Sequence, residues 1–315
     1  MRKFLCLILL TSLTTFQTFS QDNFIKDSLD SYINREMQKW QIPGVAIAIV
    51  KDGKVLAMKG YGVREIGKPD KVDEFTLFQI ASNTKAFTGT ALALLAYQKR
   101  ISLDDKVTKY LPWFQLKDPC ATNMVTIKDI LCHRIGFYTF QSDFLNWDCN
   151  MTTDALIKNM RNVQPVNEFR DKYGYCNMGY VTAGEVIKAV TDTSWQDFFD
   201  YHFFKPLQMN RSSVYHQKIV TDVNAAKPYT LVDNKIVLLD YANIDNIGAC
   251  ASINSCVNDI SHWIMMQLNK GKYENKEVIP SAVINTTQNS YMIVRESGSA
   301  RMPYNHFQNY GLGWK

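Results

Sequence analysis

The chain has 315 residues, 46% of them apolar, with 35 basic and 30 acidic side chains giving a formal charge of +5. No basic run is interleaved with aromatics, so no nucleic-acid partner is expected. The five histidines (His133, His202, His216, His262 and His306) are scattered in no ligand spacing, so neither a metal nor another cofactor is expected.

Arg2 and Lys3 precede an apolar stretch from Phe4 to Leu13, and Thr18-Phe19-Ser20 closes it before the polar Gln21-Asp22-Asn23. This is the pattern of a cleaved secretory leader. Residues 1–20 are therefore predicted to be a signal peptide and 21–315 the functional domain, exported to the periplasm or outside the cell. The stretch falls far short of the roughly 20 residues that cross a bilayer, and no later run is long enough to do so. Cys6 stands too early for lipidation after cleavage. With the leader gone, 33 basic residues face 30 acidic ones, a charge of +3, since Arg2 and Lys3 go with it. Six cysteines remain: Cys120, Cys132, Cys149, Cys176, Cys250 and Cys256. An oxidising compartment permits disulfides, and Cys250/Cys256 or Cys120/Cys149 are the candidate pairs, but the spacings match no framework and small core side chains are the simpler reading.

In chain order, residues 22 to 40 read as an amphipathic helix. Ile25, Leu29, Ile33, Met37 and Trp40 recur at three- and four-residue steps, with Asp22 or Asn23 as cap. Ile42-Pro43-Gly44 breaks it. Val45 to Val50 and Val55 to Lys59 then flank the Asp52-Gly53 turn signal of a hairpin. From residue 82 a helix carries Ala86, Leu92, Ala93, Leu95 and Ala96, apolar enough to be buried on most sides. Thr126 is the expected cap of a short helix to Cys132. Ser255 is the expected cap of another, with Ile260, Trp263, Ile264 and Leu268 as its buried stripe, ending before Gly271. There is no internal repeat or linker. The reading is α+β, one compact unit in which helices interrupt a sheet begun at the N-terminus.

The sharpest local feature is Ala81-Ser82-Asn83-Thr84-Lys85, the chain's one S-x-x-K. At a helix start the two side chains share a face, so the amine reaches the hydroxyl. A serine needs such a base to attack a carbonyl. A lysine serves when apolar burial penalises its charged form, and the greasy helix that follows offers that burial. A helix N-terminus also aims backbone N–H groups at developing negative charge. A bare S-x-x-K is common by chance, so its context has to carry the assignment.

That context resembles the serine β-lactamase-like family of class C β-lactamases, D-alanyl-D-alanine carboxypeptidases and related esterases. The similar segments run in order: Ile42 to Ala48, Lys59-Gly60-Tyr61-Gly62, Phe75 to Lys85, Thr126 to His133, Phe203 to Met209, Gly248 to Gly271 and Tyr310 to Trp314. The resemblance implies an antiparallel sheet flanked by helices with a helical subdomain inserted. It also implies a Tyr-x-Asn motif, for which the chain offers Tyr32/Asn34, Tyr175/Asn177, Tyr241/Asn243 and Tyr273/Asn275. Phe169 before and Met178-Gly179-Tyr180 after favour Tyr175-Cys176-Asn177, with Tyr241-Ala242-Asn243 as competitor. Tyr175 would then share proton transfer with Lys85, and Asn177 would bind the substrate amide and help hold Lys85. Cys176 stands where the family has serine or alanine and reads as an inert buried thiol. His133 matches a structural histidine rather than a base, and Ile135 replaces a small polar residue.

The family's third motif, Lys-x-Gly or His-x-Gly, is absent after Asn177. Lys51-Asp52-Gly53 is the hairpin turn, and Lys172-Tyr173-Gly174 lies too early. In the family it follows the segment resembling Tyr310 to Trp314, where this sequence stops. The expectation is therefore a fragment lacking the C-terminal strands that pair with the opening hairpin, poorly folded and nearly inactive alone. The complete protein is expected to hydrolyse small esters, D-amino-acid peptides or β-lactams through an acyl-enzyme. The alternative is a non-catalytic relative that binds cell-wall peptides or a protein partner. An α/β-hydrolase is disfavoured because no G-x-S-x-G elbow occurs. Nothing in the sequence sets the oligomeric state.

Overall fold

The structure is a computed structural model that describes residues 24–141, 143–295 and 307–315. The predicted leader and the caps Asp22 and Asn23 lie outside the described residues. The chain divides into two units, Met1–Ile42 and Pro43–Lys315.

In the first unit a π-helical turn, Phe24–Ser28, runs into an α-helix, Leu29–Trp40. Leu29 is buried, and Ile25, Ile33 and Met37 are half-buried. Trp40 leaves the predicted stripe and is 64% exposed. The helix ends there: Gln41 takes a left-handed φ of 54°. Its N–H reaches Gln38 O, and that of Ile42 reaches Met37 O, a Schellman stop.

The second unit opens with the predicted hairpin, β1 (Gly44–Lys51) against β2 (Lys54–Gly62). Asp52 and Gly53 both have positive φ, 50° and 70°, which the primed two-residue turn demands. The helix Val257–Leu268 packs on β1 and β2. Among the described residues no third strand joins this ladder, and the remaining sheet is four further two-stranded antiparallel pairs. One of these, Phe78–Gln79 with Asn254–Ser255, lies just before the candidate serine. The mixed helix-and-strand class is as expected, while the sheet is divided rather than continuous.

The helix Thr84–Tyr97 is buried from Thr84 to Leu95, as its apolar composition requires. Phe87 stacks on Trp263 at 3.8 Å and meets the rings of Phe199, Phe203 and Phe204 edge-on or tilted. Gly89 lets the C-terminal segment come close, for a Cβ there would lie 2.1 Å from the Leu312 carbonyl oxygen. Thr126 caps Ile127–Leu131 in a full capping box with Asp129.

Two expectations are corrected. Ser255 does not cap the Val257–Leu268 helix: it sits in a strand pair with its hydroxyl 2.7 Å from Ser212, and the cap position is Cys256. The buried face carries Asp259, Trp263 and Met266, and Leu268 is left 56% exposed. Asp259 is satisfied there, its Oδ2 accepting the N–H groups of Arg211 and Ser212, each at 2.8 Å. All six cysteines from Cys120 to Cys256 are free thiols, so neither candidate disulfide exists. Cys250 is sealed in the core and Cys120 is exposed on the surface. Ile135 is buried in the apolar core. No helix among the described residues is long and apolar enough to cross a membrane.

Candidate active site

Ser82 lies in a 3-10 turn, Ala81–Asn83, that feeds the buried helix. Ala81 has a φ of 46°, a strained left-handed conformation for a non-glycine residue. The turn is pinned from several sides. The Ile80 N–H donates to Ile253 O at 2.9 Å, Thr84 Oγ1 donates to Ala81 O at 2.7 Å, and the Ile253 N–H donates to Thr84 Oγ1 at 3.1 Å. Ser82 is left exposed at the end of the core helix while Lys85, one turn on, is only 1% exposed.

Lys85 Nζ lies 3.3 Å from Ser82 Oγ, 2.6 Å from Asn177 Oδ1 and 2.9 Å from the carbonyl oxygen of Cys250. The apolar helix does bury the lysine, but its amine meets three oxygens rather than hydrocarbon alone. Its remaining surroundings are aromatic, with the Tyr175 and Tyr180 rings 4.8 and 5.5 Å away. Tyr175 donates its phenol proton to Ser82 Oγ at 2.7 Å. Thus Ser82, Lys85, Tyr175 and Asn177, spread over 96 residues of sequence, share one spot.

Tyr175 is held from two directions. Its backbone carbonyl accepts from the Phe140 N–H at 2.8 Å, and its ring lies 4.4 Å from that of His133. His133 is wholly buried at a φ of 61°, among the rings of Tyr173, Tyr175, Tyr180 and Tyr310. Its Nδ1 accepts the Cys176 N–H at 3.1 Å. Burial, aided by nearby Lys85, holds its imidazole well below the usual 6.5. His133 is a neutral spacer between the Tyr-x-Asn motif and the aromatic floor. The Cys176 thiol is pushed up by complete burial, consistent with an unreactive side chain.

The competing Tyr241 donates to Ala226 O at 2.8 Å instead, and the Asn243 N–H is taken by Asp148. Gly174 of Lys172-Tyr173-Gly174 is wedged against Phe137, where a Cβ would fall 1.7 Å from the carbonyl oxygen. That triplet shapes a loop.

Asp143 and the Cys250 carbonyl were not foreseen. Asp143 Oδ2 accepts from the Asn177 N–H at 3.1 Å and from Asn177 Nδ2 at 2.9 Å. An aspartate 34 residues before its partner obeys no spacing rule, and a backbone carbonyl carries no side-chain signature. Among the described residues no group of three or more His, Cys, Asp or Glu is placed to hold a metal ion.

The arrangement is similar in fold to two solved structures. One is the octameric penicillin-binding protein homologue from Pyrococcus abyssi, at 24% identity and a TM-score of 0.76 over 90% of this chain and 63% of that one. The other is FmtA from Staphylococcus aureus, at 22% identity and a TM-score of 0.69 over 90% and 73%. These define a β-lactamase/transpeptidase-like fold. Residues 29–315 match the family model described as Beta-lactamase, and the chain belongs to that family. Among curated relatives it is 33% identical to Protein flp of Staphylococcus aureus strain MW2 over 256 residues, 78% of this chain and 50% of the relative. It is 30% identical to the teichoic acid D-alanine hydrolase of Staphylococcus aureus strain MRSA252 over 195 residues, 61% and 46%. The chain spans about half the length of the curated relatives it matches.

Proposed function

We propose that this chain carries the nucleophile of an exported serine hydrolase that cleaves ester or amide bonds through an acyl-enzyme. The observation behind this reading is that Ser82 Oγ sits within hydrogen-bonding reach of both Tyr175 OH, at 2.7 Å, and Lys85 Nζ, at 3.3 Å. A serine with two proton-handling neighbours can give up its proton as it attacks a carbonyl carbon. The oxyanion formed is met by the backbone N–H of Ser82 at the helix start. On collapse, the leaving group departs with a proton returned through Tyr175. Water then repeats the attack on the acyl carbonyl, and Ser82 recovers its hydrogen.

The substrate class is a small carboxylic ester, a D-amino-acid peptide or a β-lactam. A relative named for hydrolysing D-alanine from teichoic acid puts D-alanyl esters first for trial. The test is intact-mass spectrometry of the full-length protein after a fluorophosphonate, a labelled penicillin or a D-alanyl ester, beside Ser82→Ala. One adduct on the wild type and none on the variant is expected. An adduct that survives loss of Ser82 would overturn the assignment.

A further inference from the structure

We propose that Asp143 is a positioning residue whose carboxylate sets the Asn177 side chain with its oxygen, rather than its nitrogen, toward Lys85. This rests on the hydrolase reading and deepens it.

The two ends of a carboxamide are nearly the same shape and differ in hydrogen-bond polarity. At Asn177 the choice matters, because Oδ1 receives Lys85 Nζ at 2.6 Å. Turned over, the amide would place an N–H donor against an amine that donates. Lys85 would then lose an acceptor, and its direction toward Ser82 would rest on the Cys250 carbonyl alone. The other end of the amide decides the orientation. There Asp143 Oδ2 takes both Nδ2–H and the backbone N–H of Asn177, clamping the side chain at its tip and its root. An ionised carboxylate accepts and cannot donate, so it tolerates only the nitrogen on its side.

Asp143 has little other occupation. It is 7% exposed, forms no ion pair among the described residues, and its buried Oδ1 has no hydrogen-bond partner. An uncompensated buried acceptor lowers stability, so its presence beside Asn177 calls for a functional reason. The titratable groups that face it are Lys85 and the thiols of Cys176 and Cys250. Burial pushes its carboxyl up to about 6, against the pull of the Asn177 N–H groups and Lys85. Once protonated, the carboxyl keeps an acceptor oxygen but loses its charge, so its grip on the two Asn177 N–H groups weakens. An acid limb in Ser82 reactivity follows.

The experiment uses the full-length protein with Asp143→Ala, Asp143→Asn and Ser82→Ala. The rate of fluorophosphonate labelling is followed against pH, and the side-chain amide resonances of Asn177 are read by 15N NMR, assigned through Asn177→Asp. Asp143→Ala should label more slowly by on the order of tenfold to a hundredfold, the scale of a misplaced reacting group. Its Asn177 amide protons should shift and exchange faster. Asp143→Asn is isosteric and uncharged like the protonated carboxyl, so it should label at the wild type's low-pH rate throughout, with no limb near 6; it carries the test if the alanine variant does not fold. Unaltered labelling, pH profile and Asn177 resonances in both variants would sink the proposal. Labelling that persists in Ser82→Ala defeats the hydrolase reading instead, and the Asn177 resonances still decide the role of Asp143.

Discussion

The carbonyl oxygen of Cys250 lies 2.9 Å from Lys85 Nζ although 165 residues separate them in the chain. With Asn177 Oδ1 it forms a fixed seat for the amine, independent of substrate. Lys85→Met keeps the length of the side chain but leaves both acceptors bare in a buried site. We expect a loss of about 1–3 kcal/mol for each together with loss of Ser82 labelling. Thermal unfolding and labelling of the same sample check it; a variant as stable and as reactive as the wild type contradicts the arrangement.

The fully buried Asp129 ties three segments. It accepts from the Thr126 N–H at 2.9 Å, Arg134 Nε at 2.6 Å and Arg170 Nη2 at 2.6 Å. Burial alone would raise its carboxyl, but Arg170, Thr126 and Arg134 outweigh it and hold the group below the ordinary 3.8. The stability it lends is therefore complete above 3.8 and drains away as pH falls through the lower native value. Asp129→Ala removes the shared acceptor of two partly exposed guanidinium groups and of the Thr126 N–H, and is expected to cost about 1–3 kcal/mol. Asp129→Asn should flatten the acid edge of the stability profile, read from melting temperatures between pH 2 and 7.

Asp143 acts in the opposite sense. Its native carboxyl titrates near 6 rather than 3.8, so its charge weighs against folding above about 6 and not at all below 3.8. Asp143→Asn should therefore melt higher than the wild type at pH 8, by roughly 1–3 kcal/mol, and equally at pH 4. Scanning fluorimetry at the two pH values is sufficient, and a gain of the same size at both would refute the origin in burial. A residue that slows chemistry when removed and stabilises when neutralised is the usual signature of a group kept for activity.

Gly174 precedes the candidate phenol, and its N–H donates to His133 O at 2.9 Å. Gly174→Ala must push Phe137 away, since no flexible side chain is there to yield. We expect a lower melting temperature and slower Ser82 labelling together, because the loop that moves also holds Tyr175. Stability lost without any loss of labelling would show that Tyr175 is anchored elsewhere.

Where the chain speaks through short-range chemistry, the sequence was legible. The Asp52-Gly53 turn, the Thr126 cap and the burial of the helix after Ser82 follow from conformational preference and apolar pattern within a few residues. Ser82 and Lys85 were paired by one helical turn, and Tyr175-Cys176-Asn177 by resemblance, and the structure brings all four candidate residues together. What escaped is long-range or lacks a side-chain label: the Cys250 carbonyl, the Asp143 clamp and the ring of tyrosines around His133. Ser255 misled because serine is a good cap in isolation, whereas here pairing with Phe78 and the Ser212 hydroxyl claimed it first.

Gly313, with a φ of 90°, rests so close to the Lys85 carbonyl that a Cβ would come within 2.4 Å of it, and Leu312 is fully buried one residue earlier. A ribosome delivers Lys85 more than two hundred residues before those neighbours, and contacts so distant in sequence form slowly against the entropy of closing the loop. The newly made helix must wait, greasy and uncovered, until that segment arrives. Covering of the helix that carries Lys85 thus waits on a segment made more than two hundred residues later, and until then its apolar face is open to aggregation and to chaperones.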